Sequence, residues 1–515
     1  MHSTHLAGLI GSTRLKQLVS ALAITSLLLL STAQAGPLGT PFRVNTFTEG
    51  HQEVMDLAAG ANGDTLVLWA DSRHGGRSMQ RYDSAGRKLQ AEDWYVGTGV
   101  MAAALDRRGS FILVRTSADG DGNGIYATLY DRAGNLRVSE FRVNDWTAGD
   151  QYFPQVAMNA NGDFAIAWTT NSNDAATVSV KRFRSDGTAV ASQAVASDPA
   201  YLRPWATGIA IDALGNFAVT GVYYQSYSPN YRQLDIWMRR FNSAGYALGN
   251  AVRVNTHTPD IQNASQIAMS PQGDIIVTWE SCFQGGPAWA VYAQRYNASG
   301  TPVGGEFLVN APPTYELNET VPDVAVMDDG SFVIAWRHNQ SARARQYRKD
   351  GTAVGPEFAL DAGDPNTNVE FPKVGMDLAG NAMIAWRHFD YTTNQYDVIA
   401  RRLVMDTLPP ITPAGNGQTI SSLSGAAGSW RYFKLTVPAG LTTLSVSISS
   451  PSTTGDADLY VRYAALPNAQ YFDARPYLDG NNERAVIYNI PPGDWYIGIN
   501  GYSSYSSVSL TATAY

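Results

Sequence analysis

Apolar and polar positions alternate along most of this chain, in short runs separated by turns that contain glycine. The run PQVAMNANG (Pro154–Gly162) leads through such a turn into DFAIAW (Asp163–Trp168), and similar pairs recur along the chain. Runs with a period of two residues, bounded by Asn-Gly or Asp-Gly pairs, predict β-strands joined by tight hairpins. We therefore predict an all-β fold.

The hairpin belongs to a longer repeat that can be aligned on one glycine. Each unit contains four predicted strands, a to d, and strand d has the form FRVN. Four strands at a period of about 50 residues predict the blades of a β-propeller. The aligned glycines are Gly63, Gly109, Gly162, Gly215, Gly273, Gly330 and Gly380.

A small residue stands five positions before each aligned glycine. The innermost strands of a propeller crowd around its axis, where only small side chains fit, whereas a linear solenoid has no such requirement. The small residues are Ala58, Ala104, Ala157, Ala210, Ala268, Ala325 and Gly375. A tryptophan follows the turn in five units, and we interpret it as packing between blades; Arg115 and Gly221 replace it in the other two.

The two ends of the repeat region complement each other. The seventh unit has predicted strands a, b and c and then TLPP, with no strand d, whereas FRVN at Phe42–Asn45 has no preceding strand. We predict that Phe42–Asn45 pairs with the chain near Val398–Leu403. This pairing would close a seven-bladed ring within residues 36–410 and leave no open edge between the first and last blades.

Loop lengths indicate which face of the ring carries a binding site. The a–b and c–d turns of a blade lie on one face and are short here, whereas the b–c and d–a loops lie on the other and are long and varied. We call the second face the loop face and expect binding residues there. Its aromatic side chains suit a glycan or an extracellular protein, because they combine stacking area with a polar tip; packing of the loops against each other is the alternative. The candidate ligand-binding residues are Trp146, Tyr152, Trp205, Tyr224, Tyr227, Tyr231, Trp289, Phe389 and Tyr391.

Catalytic motifs are not evident. We find no G-x-S-x-G, H-E-x-x-H or Cys-His pattern, and we attribute the duplicated IAWRH to the repeat. Two hypotheses therefore stay open: a secreted binding or adhesion protein, and a secreted hydrolase or lyase that uses loop carboxylates as an acid–base pair. The candidate carboxylates are Asp71, Asp145, Asp150, Glu280, Glu316 and Asp390.

Charge and the N-terminal segment predict where the protein acts. Residues 1–35 have basic residues, an apolar core and AQA before Gly36, which is typical of a signal peptide and predicts secretion through the periplasm. The formal net charge is −8 and no Lys/Arg cluster occurs, which argues against nucleic acid and anionic membranes as partners. Cys282 is the single cysteine. We expect a monomer with no stable membrane insertion.

Calcium is the candidate cofactor. In DGDGNG, Asp119, Asp121 and Asn123 have the spacing that begins a calcium loop, and Gly124 allows the turn. Tyr130 stands where such a loop usually has its twelfth-position Glu, so an ordinary polar hairpin is the alternative.

After TLPPITPAGNGQ the chain becomes rich in Ser, Thr and Tyr, and residues 411–515 predict a small antiparallel sandwich. The segments LSGAAGSWRYFKLTVPAG, GDADLYVRY, ARPYLDGNNE and GDWYIGINGYSSYSSVSLTATAY closely resemble the bacterial pre-peptidase C-terminal (PPC) domain. The resemblance implies a jelly-roll-like sandwich that aids secretion or attachment, and related modules hold calcium. Asp456 and Asp458 are the matching acidic pair. Ala474 and Ala485 stand where many members have Cys, so that disulfide is missing.

Overall fold

The computed structural model describes residues 36–172, 175–228, 231–311, 318–361, 367–405, 411–452, 454–463, 467, 472–476 and 478–515. These residues belong to one compact unit, Ala35–Tyr515. They form strands and turns without any helix, so the described chain has no helix that could cross a membrane. Their strands make nine four-stranded sheets, which confirms the all-β fold.

Seven of these sheets are the blades of a β-propeller, with strands a to d hydrogen-bonded in chain order in blades 1 to 6. Blade 1 contains β2 (Gln52–Ala59), β3 (Thr65–Asp71), β4 (Gly76–Tyr82) and β5 (Trp94–Gly97); blade 2 contains β6 (Val100–Leu105), β7 (Phe111–Ala118), β8 (Asn123–Tyr130) and β9 (Leu136–Arg142). Blade 3 contains β10 (Asp150–Met158), β11 (Phe164–Ser172), β12 (Ala175–Phe183) and β13 (Ala194–Val195); blade 4 contains β14 (Leu202–Ile211), β15 (Phe217–Ser228), β16 (Tyr231–Phe241) and β17 (Val252–Arg253). Blade 5 contains β18 (Gln262–Met269), β19 (Ile275–Cys282), β20 (Trp289–Tyr296) and β21 (Phe307–Leu308); blade 6 contains β22 (Glu319–Val326), β23 (Phe332–His338), β24 (Ser341–Tyr347) and β25 (Phe358–Ala359). Blade 7 contains β26 (Thr367–Met376), β27 (Asn381–Asp390), β28 (Gln395–Val404) and β1 (Gly36–Arg43).

The predicted ring closure is confirmed. Strand β1 pairs antiparallel with β28, and Phe42 lies opposite Ala400. The Val44 N–H donates to the Val398 carbonyl at 2.8 Å, and the Val398 N–H donates to Asn45 Oδ1 at 2.8 Å. The N-terminal strand is therefore the fourth strand of the last blade, and the pairing must offset the chain entropy that is lost when the two ends are brought together.

Turn chemistry explains why one glycine recurs in every unit. In the a–b turn of blade 2, Asp106 Oδ1 accepts the N–H groups of Arg108 and Ser110 at 2.7 and 2.9 Å. Gly109, between them, has a φ of 75°. A residue with a Cβ rarely adopts this left-handed conformation, so the turn requires glycine there.

Crowding at the axis agrees with the small residues of the inner strands. A Cβ added to Gly375 would lie 2.2 Å from Leu57 Cδ2 and 3.1 Å from Ala59 Cβ. Blades 7 and 1 therefore approach so closely here that a larger residue at position 375 would have to displace the Leu57 side chain.

The tryptophans of strand b are buried between blades, as predicted. Blade 4 shows how one unit manages without this residue. Gly221 lies opposite Trp237 of strand c, whose indole is fully buried, and a Cβ at Gly221 would lie 2.8 Å from Trp237 Nε1. The neighbouring strand thus supplies the missing indole.

The remaining two sheets form the C-terminal sandwich. One contains β29 (Ile411–Pro413), β31 (Trp430–Val437), β35 (Gly493–Gly501) and β33 (Ala457–Tyr463), and the other contains β30 (Thr419–Gly425), β36 (Tyr505–Ala514), β32 (Thr443–Ser449) and β34 (Glu483–Tyr488). A shared apolar core, including Phe433, Val446 and Ile497, lies between them. Tyr496 Oη donates to Asp350 Oδ2 at 3.0 Å, which joins the sandwich to a c–d turn of blade 6. The domain limits 36–410 and 411–515 stay predictions.

Candidate functional site

A repeated β-bulge shapes the loop-face end of strand a in blades 3 to 7. In each of these strands the pairing with strand b shifts register, and the residue within the bulge has a positive φ. Such a conformation costs a non-glycine residue about 1–3 kcal/mol, which the surrounding sheet must offset. The five bulge residues are Phe153, Arg203, Ala264, Val321 and Phe371, with φ between 44° and 52°.

The blade-3/4 cleft lies beside two of these bulges on the loop face. It has a volume of about 290 Å³ and brings together three of the nine predicted ligand-binding residues: Tyr152, Trp205 and Tyr224. The Trp205 and Tyr224 rings are 5.8 Å apart and tilted by 56°. The other lining residues are Phe153, Asn171, Ala176, Arg203 and Pro204.

A glycine lets the cleft form in blade 4. Trp205 pairs with Val222 just after the bulge, next to Gly221. A Cβ on Gly221 would lie 2.1 Å from the Trp205 carbonyl oxygen, well inside contact distance. Gly221 therefore has two effects. Its lack of a side chain leaves room for the Trp237 indole of strand c, and it also allows the Trp205 backbone to approach strand b.

The chemistry of the cleft suits binding. Burial, and secondarily the Asp150 charge, raise the pKa of Tyr152, so this phenol stays protonated at neutral pH and can donate a hydrogen bond. Asn171 and Arg203 add further polar groups to aromatic walls. None of the eight lining residues is a carboxylate, and the cleft offers stacking surfaces and hydrogen-bonding groups.

Two other predicted aromatics lie in a second cluster, in blade 7. The Phe389 and Tyr391 rings are 5.0 Å apart at nearly right angles, and Phe389 lies 4.6 Å from Tyr396. This cluster is separate from the blade-3/4 cleft, because its residues come from the b–c hairpin of another blade.

The remaining aromatic predictions are dispersed. Trp146 is 55% exposed in a d–a loop, where Asn144 Nδ2 donates to its carbonyl at 3.0 Å. Trp289 is half-buried at the start of β20. The side chains of Tyr227 and Tyr231 lie outside the described residues, so the structure does not place them.

The candidate loop carboxylates are engaged in hydrogen bonds and ion pairs. Glu316 lies outside the described residues. Among the others, Asp71 binds Arg73, Asp145 binds Lys181, Asp150 binds Asn123, Glu280 binds the Val321 N–H, and Asp390 binds Thr392. Each of these five carboxylates thus has a structural role in its own loop or strand.

Sequence reasoning missed a group of charges in the central channel, a space of about 320 Å³ along the axis. Asp56, Asp323 and Lys373 line it from blades 1, 6 and 7, so the lysine stands between the two acids in ring order. Each stands two positions before the small residue of its inner strand, and that spacing was a signal in the sequence. Asp56 accepts the Ala103 N–H at 2.8 Å, which joins blades 1 and 2.

The contribution of Asp56 to stability should fall as pH rises. Burial raises the pKa of this carboxyl to about 6, although hydrogen bonding to Ala103 and the charge of Lys373 act in the opposite direction. Its contribution is therefore complete below about pH 4 and is lost between about pH 4 and 6, a loss of roughly 3 kcal/mol. We expect Asp56→Asn to remove this part of the pH dependence in urea unfolding. Exposed Asp121→Asn is the control, and an unchanged slope in Asp56→Asn would contradict the assignment.

Asp119 contacts the Asn that ends the FRVN-type segment of its blade. Its Oδ2 accepts from Asn144 Nδ2 at 3.1 Å. In blades 4 and 7 the corresponding Asn binds a strand-c aspartate instead, Asp235 or Asp397, at 2.7 Å. Asn123 donates its side-chain N–H to Asp150 Oδ1 at 3.1 Å, and the Asp121 N–H donates to Asp119 Oδ1. Calcium at Asp119, Asp121 and Asn123 stays a prediction.

The acidic pair of the sandwich is also bound within the protein. Asp458 is buried and forms a 3.0 Å ion pair with Arg475, and Asp456 Oδ1 accepts the Gly480 N–H at 3.0 Å. Burial raises the pKa of Asp458. The described residues contain no group of three or more His, Cys, Asp or Glu side chains arranged to hold a metal ion. Calcium at Asp456 and Asp458 stays a prediction as well.

Comparison with known proteins identifies the C-terminal module. The family model of the bacterial pre-peptidase C-terminal domain matches residues 431–501. Alkaline serine exoprotease A of Vibrio alginolyticus is 40% identical over 97 residues, which is 19% of this chain and 18% of that protein. An extracellular protease of Xanthomonas campestris pv. campestris is 41% identical over 98 residues, 19% of this chain and 16% of that protein. The chain thus spans less than a fifth of the length of these relatives.

Among solved structures, a polysaccharide lyase, an ulvan lyase bound to -[GlcA(1-4)Rha3S]-, covers 71% of this chain and 96% of its own. The sequence identity is 12% and the TM-score is 0.42. The propeller is established by the strand pairing described above. Residues 431–501 of this chain are a bacterial pre-peptidase C-terminal domain, which follows a seven-bladed β-propeller.

Proposed function

We propose that this chain is a secreted binding or adhesion protein whose loop face engages a glycan or an extracellular protein. The observation that carries the proposal is the blade-3/4 cleft, where Tyr152, Trp205 and Tyr224 line one preformed space. Concave sites with aromatic walls and a few polar groups are the usual form of ligand pockets. The paired strands hold these rings in place before a ligand arrives.

The C-terminal sandwich and the N-terminal segment both support an extracellular location for the protein. An extracellular protease shares the PPC domain, which supports an extracellular place for this chain. We propose that the domain aids secretion or attachment and that residues 1–35 direct export through the periplasm. Monomeric state and the exclusion of nucleic acid and membrane insertion belong to the same proposal.

Replacing Trp205 should weaken binding at least about tenfold, because truncation of a central aromatic ring in an interface typically costs 2 kcal/mol or more. The purified chain is screened on glycan and matrix-protein arrays, and the affinity of each hit is then measured by calorimetry for Trp205→Ala. The matched control is Tyr246→Ala, an aromatic that is 70% exposed in a c–d turn on the opposite face. Equal affinities for the two variants would contradict a site in the cleft.

A secreted hydrolase or lyase is the second candidate, and the central channel favours it. Asp56 has a pKa raised to about 6 by burial, within the range of a general acid, and Asp323 shares the channel. The chain is incubated with glycan and peptide substrate panels beside Asp56→Asn and Asp323→Asn. Turnover that either change abolishes would overturn the binding-only proposal.

A further inference from the structure

Two bulges of the repeat hold an exposed phenylalanine in the same unfavourable conformation. Phe153 in YFPQVAM and Phe371 in EFPKVGM occupy the same repeat position, with φ values of 52° and 50°. Their side chains are 49% and 43% exposed. Each therefore carries backbone strain and also leaves an apolar ring in water, and neither feature stabilises the fold.

Phe153 lines the blade-3/4 cleft, whereas Phe371 belongs to a second aromatic surface. The Arg387 guanidinium lies 4.8 Å from the centroid of the Phe371 ring and 4.6 Å from that of Tyr396. Tyr396 in turn contacts Phe389, which contacts exposed Tyr391. We call these five residues of blade 7 the blade-7 platform.

The arginine at the centre of the platform is paired with a carboxylate from each of two blades. Arg387 makes ion pairs with Glu53 of blade 1, at 3.0 Å, and with Glu370 of its own blade. The guanidinium is thereby fixed as a flat surface beneath Phe371. An aromatic surface around such a paired arginine, with fixed polar edges, is suited to stacking against a sugar ring.

The cleft and the platform lie on opposite sides of the channel mouth. Half of the ring separates blades 3 and 4 from blade 7, and both surfaces are on the loop face. Neighbouring sheets pack about 10 Å apart, so a ring of seven inner strands is roughly 20 Å across. A ligand that contacts both surfaces must therefore be an extended polymer.

Prolines at the bulges disfavour a polypeptide as this polymer. Extended peptides commonly bind by adding a strand to a free sheet edge, which requires N–H donors on that edge. Pro154, Pro204 and Pro372 directly follow the bulge residues at the inner edge of strand a and have no N–H to donate. A glycan, which binds through its ring faces and hydroxyl groups, needs no such edge.

We propose that the ligand is a linear glycan that spans the channel mouth, with Phe153 and Phe371 as the stacking residues of two equivalent subsites. The inference rests on the proposed function, with a glycan as the ligand. It adds that the glycan is a polymer of repeating units, and that two blades of the propeller each present a phenylalanine at the same repeat position to bind it.

Calorimetry with size-defined oligosaccharides of cellulose, chitin, alginate and polygalacturonan tests the proposal. The wild-type chain should bind two disaccharides but one octasaccharide, and the octasaccharide at least about a hundredfold more tightly, since two linked contacts raise affinity by 10²–10⁴. Phe371→Ala and Phe153→Ala should each reduce the stoichiometry to one disaccharide and bring octasaccharide affinity to the disaccharide level. Val321→Ala, at the same bulge of blade 6, should leave both unchanged.

The outcomes separate this inference from the proposed function. One disaccharide per wild-type chain, or an affinity that does not depend on chain length, would overturn the second subsite and leave binding in the cleft intact. Phe371-dependent binding of a matrix protein without glycans would overturn the glycan assignment. No binding of any oligosaccharide by the wild type would remove the glycan form of the proposed function itself. Thermal unfolding of each variant shows whether a loss of binding comes from misfolding.

Discussion

Deleting residues 36–45 is expected to destabilise the propeller by about 5 kcal/mol or more. The deletion removes the ladder between β1 and β28, the fully buried Val44 side chain and the two hydrogen bonds of the Asn45 side chain with Val398 and Asp397 of blade 7. Burial of a valine contributes roughly 1.5–3 kcal/mol, and each hydrogen bond about 0.5–1.5 kcal/mol. The deletion also exposes β28 as a free edge, so the variant should aggregate. Urea unfolding and light scattering measure the two effects.

Two point variants distinguish loss of the contacts between the N-terminal segment and blade 7 from general damage to the N-terminus. Val44→Ala should cost about 1–3 kcal/mol, because the side chain is fully buried between blades 7 and 1. Leu38→Ala, in β1 and 49% exposed, should cost much less. If the deletion variant had the same free energy of unfolding as the full-length chain, blade 7 would not need its fourth strand.

Gly221→Ala is expected to lower stability by about 1–3 kcal/mol or more and to abolish binding in the cleft. The added Cβ would lie 2.1 Å from the Trp205 carbonyl oxygen, which is backbone and cannot rotate away, and 2.8 Å from Trp237 Nε1. Overpacking of this kind forces a backbone shift. Because Trp205 is a wall of the cleft, the shift acts on the candidate site directly. Urea unfolding measures the change in stability, and calorimetry with the ligand found on the arrays measures the loss of binding.

Gly305→Ala is the matched control, because Gly305 has no left-handed φ and a Cβ there would have no neighbour within 4 Å. This change should leave both stability and binding at wild-type values. If Gly221→Ala behaved in the same way, the close approach of the Trp205 backbone would not be what shapes the cleft.

Three of the eight residues that line the cleft could be predicted from loop lengths, but the sequence did not show which predicted residues would meet. Tyr152, Trp205 and Tyr224 were predicted and meet in one cleft, whereas Phe389 and Tyr391 were predicted and lie elsewhere. The strand pattern places a residue on the loop face without saying which neighbouring blade it meets. The bulges that aim Phe153 at the cleft depend on pairing with strand b and were not foreseen from period-two alternation.

The charged residues of the central channel also show the difference between what the sequence reveals and what depends on the closed ring. A charge two positions before a small inner-strand residue is visible in the sequence, yet its meaning depends on closure of the ring. Asp56 and Asp323 are far apart along the chain, and only the seven-fold arrangement puts Lys373 between them. The raised pKa of Asp56 follows from that burial and has no counterpart in local sequence.

The sequence by itself determined the architecture, because turn glycines, strand alternation and small axial residues are local requirements repeated seven times. It also determined the partner of the orphan FRVN strand, since one missing strand and one surplus strand leave a single pairing. The PPC domain could be recognised from ordered motifs alone. Only the tertiary structure decided which aromatics share a surface and which acids are buried, because those properties arise between blades, where residues distant in sequence come within a few ångströms.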